Sequence, residues 1–313
     1  MGMTNRQILE KADTVVNDLI TGGGYMVPEQ ARKFLRIMIE SSVLLPQCTV
    51  VGMKRPKMLI DKIRFANRIL RPGVEAQALP VAQRAAPDFS QVELDTVLIK
   101  GEVRISSETL EDNIEQQGFK DTLLALIAER ATLDVEDLSI NGDILSADPY
   151  LALLDGVRKQ ITSNVLTVAP KAAISKTHLK GMKKLMPNEF LRNERAMRYF
   201  TSVDAVTDYR DFLADRATAV GDKFLEGTAP VLYQGIPMGA IPRFPENLGA
   251  GTDETQIILL DPKNIYVGFW RKITIETDKD ISAGQLIVVV TLRMDVKLAH
   301  EPATVKATGI EVA

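Results

Sequence analysis

Residues 119–140, FKDTLLALIAERATLDVEDLSI, decide the architecture. Leu123, Leu126, Ile127, Ala131, Val135 and Leu138 recur at three- and four-residue spacing. The stretch therefore predicts an amphipathic helix of about six turns with those residues on its buried face. Asn141-Gly142-Asp143 follows and supplies helix-ending turn chemistry. Just ahead, residues 92–106 (VELDTVLIKGEVRIS) alternate apolar and polar side chains, the pattern of a half-buried strand. Ser106 or Ser107 can then cap a short helix, with Glu108 and Glu111 near its positive end.

Toward the N-terminus, residues 52–90 change character. Pro56, Pro72, Pro80 and Pro87 punctuate them, and apolar clustering thins. Leu59-Ile60, Ile63 and Phe65 still look strand-like, so the segment predicts a long projecting hairpin; a loop of this length is usually functional. Before it, residues 43–51 predict a strand, and Phe34, Leu35, Met38 and Ile39 a helix that begins at Pro28. Residues 1–24 read as an arm with one short amphipathic helix, broken by Gly22-Gly23-Gly24.

Beyond Pro149 the pattern is mixed. Helices are expected at 175–186, 203–215 and 217–223. Strands are expected at 197–201, 231–241, 256–260, 264–277, 286–298 and 302–308. No regular βαβ repeat emerges, so the fold class is α+β.

Composition sets bounds on function. The 313 residues allow one large domain or two ordinary ones, and 45% apolar residues suffice for sizeable cores. Net charge is only -3, which marks no general nucleic-acid or membrane binder. Apolar runs are far shorter than the ~18 residues of a membrane span. The charged N-terminus lacks a signal peptide's apolar core, so synthesis in a cytoplasm is expected. The single cysteine, Cys48, lies in LLPQCTVV and reads as a buried small hydrophobe.

Catalytic patterns are missing. His178 and His300 lie in no metal-binding spacing, and no GxSxG, GxxxxGK[ST] or GxGxxG occurs. Gly249-Ala250-Gly251 reads as a loop tip. The many carboxylates of 102–155 read as a solvated acidic face. The sequence therefore predicts no catalytic, cofactor-binding or metal-ligating residue and no cofactor.

Charge segregation is the positive signal. Lys54, Arg55, Lys57, Lys62, Arg64, Arg68 and Arg71 stand against Asp61 alone in residues 54–71. Glu108, Glu111, Asp112, Glu115, Asp134, Glu136 and Asp137 belong to the acidic region of 102–143. The two can pair within one chain, or head-to-tail between copies. A heterologous contact of the second kind closes rings or extends lattices, with charge setting register and encounter rate. The basic stretch lacks aromatics beyond Phe65 on which bases could stack.

The order of these parts resembles the HK97-fold major capsid proteins of tailed double-stranded DNA phages over nearly the whole chain. Gly24-Tyr25-Met26-Val27-Pro28-Glu29 and Ser41-Ser42-Val43-Leu44 look like that family's opening. Phe89–Leu94 and Ile105–Asp112 look like its hairpin return and the lead into its spine helix. Arg293-Met294-Asp295 and Glu301–Val305 look like its closing strands. The resemblance implies an N-terminal arm (1–24), a peripheral P domain (25–51 and 93–149, spine helix 119–140) and an E-loop (52–92). It further implies an axial A domain (150–285) and P-domain closing strands (286–313).

The function so implied is self-assembly into pentamers and hexamers of an icosahedral head that encloses double-stranded DNA without reading its sequence. The E-loop cations would then be inter-subunit groups facing a neighbour's P-domain acids. Implied partners are copies of the chain itself, a portal protein, a separate scaffolding protein (only a short arm precedes the fold) and a decoration protein as a further candidate. The implied location is the virion, after synthesis in the host cytoplasm. The chain begins with Met1, so arm cleavage is not expected. No asparagine follows Asn264, so no lysine–asparagine crosslink to the closing strands is expected. Two rivals are an encapsulin-like compartment shell and, in another class, a soluble enzyme or nucleic-acid-binding protein with an unrecognised site.

Overall fold

A computed structural model describes residues 42–65, 68–73, 75, 77–106, 119–215, 230–270 and 274–312. The predicted arm, the helix after Pro28, the short helix after Ser107 and the helix at 217–223 lie outside the described residues. So do Glu108, Glu111, Asp112 and Glu115.

The described chain opens on a 3-10 turn, Leu45–Gln47, where a strand was expected; Pro46 has no N–H to give a sheet. Strand β1 (Thr49–Met53) follows. Next come the hairpin strands β2 (Lys57–Arg64) and β3 (Asp88–Asp95), then β4 (Val97–Ser106). Helix α1 (Phe119–Asn141) is the long helix of the sequence, followed by the short α2 (Val157–Gln160). Strand β5 (Val165–Ala173), which the sequence did not announce, leads to α3 (Lys176–Leu185). Strand β6 (Arg198–Thr201) and α4 (Val203–Ala214) come next, then β7 (Leu232–Tyr233), β8 (Ile236–Ala240) and β9 (Glu254–Leu260). The chain finishes with β10 (Ile265–Trp270), β11 (Thr274–Asp280), β12 (Gln285–Leu298) and β13 (Thr304–Glu311). The single strand expected at 231–241 is a tight hairpin. Gln234 and Gly235 both take positive φ, 48° and 82°, the turn geometry that matches strand twist.

Two larger sheets organise these elements. The first has order β1-β10-β12-β11, with β4 on the opposite edge of β12. The second has order β5-β13-β9-β6-β8-β7. The closing segment is thus divided. β12 belongs with β4, whereas β13 lies between β5 and β9 in the second sheet. β10 and β11 join the first sheet, so the expected boundaries at 285 and 286 do not follow sheet membership. The sequence could not show this, because strand order depends on contacts remote along the chain.

Period-2 alternation explains how the cores form. Along β12, Val288, Val290, Leu292, Met294, Val296 and Leu298 are all buried on one face. They pack with Ala128, Val135 and Ile140 of α1. In β9, Ile258 and Leu260 face this core, while Ile257 and Leu259 face a second core with Leu179, Met182 and Tyr209 of α3 and α4. One strand therefore joins both cores. The end of α1 is fixed by a close backbone approach. Gly156 donates its N–H to Gly142 O at 2.8 Å, and a Cβ on Gly142 would lie 2.4 Å from Leu154 O.

The buried face of α1 differs from expectation. Ala128, Thr132, Val135 and Ser139 point inward, whereas Leu126 is 58% exposed. The hydroxyls of Thr132 and Ser139 donate to the carbonyls of Ala128 and Val135, at 2.8 and 2.7 Å, so these polar residues fit inside.

Candidate assembly surfaces

The β2–β3 hairpin is paired in register from Lys57↔Asp95 to Arg64↔Asp88 and forms a two-stranded sheet of its own. Its root is well held. Leu94 and Met53 are buried, and they occupy the space left by Gly268, where a Cβ would lie 2.7 Å from Met53 Sδ. Asp95 donates its N–H to the buried Asp295 carboxylate at 2.8 Å, and Thr96 donates both N–H and hydroxyl to Pro56 O. Burial holds the Asp295 carboxyl above its ordinary value, although N–H groups of Asp95 and Val296 pull it down.

Alternation gives the hairpin two unlike faces. Inward, Lys62 donates to Ala299 O. Arg64 Nη2 donates to both carboxylate oxygens of Glu189, at 2.7 and 2.8 Å. The same guanidinium lies 3.3 Å from His300 Nε2 and 5.8 Å from the centre of the Phe190 ring. Burial, reinforced by the charges of Lys62 and Arg64, holds the His300 imidazole below its ordinary value. Outward, Ile63 and Phe89 sit opposite one another and are 65% and 68% exposed, with Leu59 and Phe65 also exposed. Among the described residues this cross-strand apolar pair is left open to water, as a docking surface would be.

The predicted cations therefore divide. Lys57 pairs with Glu93 and Asp95 of its own hairpin. Lys62 and Arg64 bind their own body. Among the described residues, Lys54, Arg55, Arg68 and Arg71 are exposed and form no ion pair. The predicted acids divide as well. Glu136 is no surface residue: it is 1% exposed, and one oxygen accepts from Ser42 Oγ, Val43 N and Leu44 N. Its carboxylate closes the segment entering the first sheet, since a buried charge needs such partners. Asp134 pairs with Arg130 at 3.2 Å, and Asp137 accepts from Asn141 Nδ2. Both are half-buried.

Between α1 and β4 runs an apolar groove of about 340 Å³, floored by Ile99, Val290 and Leu292 and walled by Ile127 and Ala131. It stays open at Gly101, where an added Cβ would meet nothing within 4 Å. Sequence reasoning missed this groove, which depends on how a helix sits on a sheet edge.

No cluster of three or more His, Cys, Asp or Glu suited to a metal occurs among the described residues. His178 Nδ1 lies 3.2 Å from Ser175 Oγ, beside the start of α3. Burial, with the nearby Glu136 charge, pushes the Cys48 thiol up to about 12.

The chain is 37% identical, over 313 residues, to YqbE of Bacillus subtilis (strain 168), which carries the name of a prophage capsid protein. The match covers 99% of this chain and 100% of that protein. The chain belongs to the phage major capsid proteins. No protein-family model matches it. In shape, the capsid protein is similar to a chain of the satellite phage P4 procapsid, with a TM-score of 0.69 at 14% identity and 99% of both chains covered. It is also similar to the capsid chain of a native GTA particle, with a TM-score of 0.63 at 13% identity, covering 86% of this chain and 90% of that one. These likenesses show the HK97-type fold expected from the sequence. The capsid protein is accordingly a structural subunit of a self-assembling shell, and its place is the virion.

Proposed function

We propose that the capsid protein forms pentamers and hexamers that close into an icosahedral head around double-stranded DNA, and that the β2–β3 hairpin ties each copy to a neighbour. The hairpin's exposed Ile63–Phe89 pair carries this reading, because none of the described residues covers it. The free cations Lys54, Arg55, Arg68 and Arg71 act as steering groups toward acids of the neighbour, Asp134 and Asp137 among them. Apolar burial supplies the attraction and charge supplies register. Many modest contacts per subunit then add through multivalency.

The role is structural and not enzymatic. Assembly is expected in the host cytoplasm with a separate scaffolding protein and a portal protein, with a decoration protein as a later addition. DNA is enclosed without sequence-specific contact. The test is electron microscopy of the expressed chain, alone and with a candidate scaffolding protein. Closed shells support the reading. A compact monomer under every assembly condition overturns it.

A further inference from the structure

We infer that Arg64 and Glu189 form an intramolecular clip that fixes the β2–β3 hairpin against its own body in the free subunit, so that its apolar outer face is presented ready to dock. The effect on assembly rests on the hairpin being the docking element; the clip itself does not.

A two-stranded hairpin is marginal by itself in water. This one is held at its root by Leu94, Asp95 and Thr96. From there its eight paired residues per strand extend about 26 Å at ~3.3 Å per residue. Beneath it lies a cleft of about 560 Å³, lined in part by Phe190, Asn193, Tyr266 and His300. A lever over open space pivots about its root unless something holds its far half.

Three contacts do so at the same place. Arg64 Nη2 donates to both carboxylate oxygens of Glu189, its guanidinium lies against Phe190 and His300, and Lys62 reaches Ala299 O. Phe190 and His300 meet edge to face at 5.1 Å, which gives the guanidinium a preformed seat. One exposed ion pair contributes little. A guanidinium held by Glu189 through Nη2, facing His300 through Nη1, set on the Phe190 ring and reinforced by a second cation defines a pose. Holding that pose lowers the ordering cost of docking, the usual gain from preorganisation.

The test compares wild type, Arg64→Ala and the swapped pair Arg64→Glu with Glu189→Arg. Hydrogen–deuterium exchange is read over residues 57–64 and 88–95 in the unassembled full chain, and the assembly threshold is read by light scattering. Arg64→Ala should speed hairpin exchange about fivefold and raise the threshold, and the swap should recover most of both. Unchanged exchange in Arg64→Ala, or no recovery in the swap, overturns the clip. Faster exchange with an unchanged or lower threshold overturns its preorganising role. Failure of the wild-type chain to assemble would instead count against the proposed function, and the exchange comparison would still decide the clip.

Discussion

Glu136 of the spine helix accepts the main-chain N–H of Leu44 at 2.7 Å, joining two segments 92 positions apart. The same oxygen accepts from Ser42 Oγ and Val43 N, so one buried carboxylate satisfies three donors where the chain enters the first sheet. Glu136→Ala leaves those donors without a partner and should cost about 3 kcal/mol of subunit stability. Urea denaturation of the unassembled chain measures it. A loss below about 0.5 kcal/mol, the ordinary surface range, would return Glu136 to the surface role its sequence context suggested.

The outer face of the hairpin predicts the opposite pattern. Ile63 and Phe89 are already exposed, so Ile63→Asp with Phe89→Asp should change subunit stability by no more than about 0.5 kcal/mol each. Shell formation should nevertheless be lost. Circular dichroism melting and negative-stain microscopy of one preparation read both effects, and normal shells would remove the apolar contact from the account.

Much of this was legible in the sequence, and particular residues show where legibility stopped. Hydrophobic periodicity located α3, α4 and β12, because each buries a largely apolar face, and it located the spine helix from the apolar residues that recur along it. It misplaced Leu126 because Thr132 and Ser139 take core positions by donating to their own helix, which no hydropathy pattern reveals. The charge inventory found the hairpin cations but could not sort them. Lys62 and Arg64 share one face of β2 and Lys57 lies on the other, and only the docked hairpin shows which face meets the body. The acidic surface shrank for a similar reason, since Glu136 turns inward beside Asp137.

Crowding at the end of the spine helix gives a sharp test. Gly142→Ala would place a methyl group 2.4 Å from Leu154 O and 2.7 Å from Leu138 O, against backbone on both sides. A loss of about 2–4 kcal/mol is expected from overpacking of this kind. Thermal melting compared with Gly101→Ala, whose new methyl meets open space, checks it. Equal effects would mean the Gly142–Gly156 approach is looser than described.

The thiol of Cys48 should be inert in the folded chain. Its value of about 12, against an ordinary 9.0, reduces the thiolate fraction at pH 8 about a thousandfold. Alkylation by iodoacetamide should be correspondingly slow until denaturant is added, with intact-mass spectrometry as readout. Rapid labelling of native protein would show that the half-buried thiol is not held protonated.

Asp295 at the hairpin root makes a pH-dependent contribution. Burial raises its folded value above the unfolded one, so the native chain binds the proton more readily. Its stabilisation is full below the unfolded value and is lost as pH rises through the folded value. Asp295→Asn removes that titration. Wild type should therefore gain stability relative to the variant as pH falls from neutrality into the carboxylate range, measured by urea midpoints. A difference constant with pH would contradict the linkage.

Contact between copies through the hairpin is tested most directly by crosslinking shells assembled from equal amounts of ¹⁴N- and ¹⁵N-labelled chain. Lys54 just before the hairpin and Lys57 at its start, joined to Lys100, which lines the α1–β4 groove with Asp134, should appear as peptide pairs of mixed isotopic mass, because the two partners come from different subunits. Pairs of uniform mass alone would place every hairpin contact within its own chain and contradict the account.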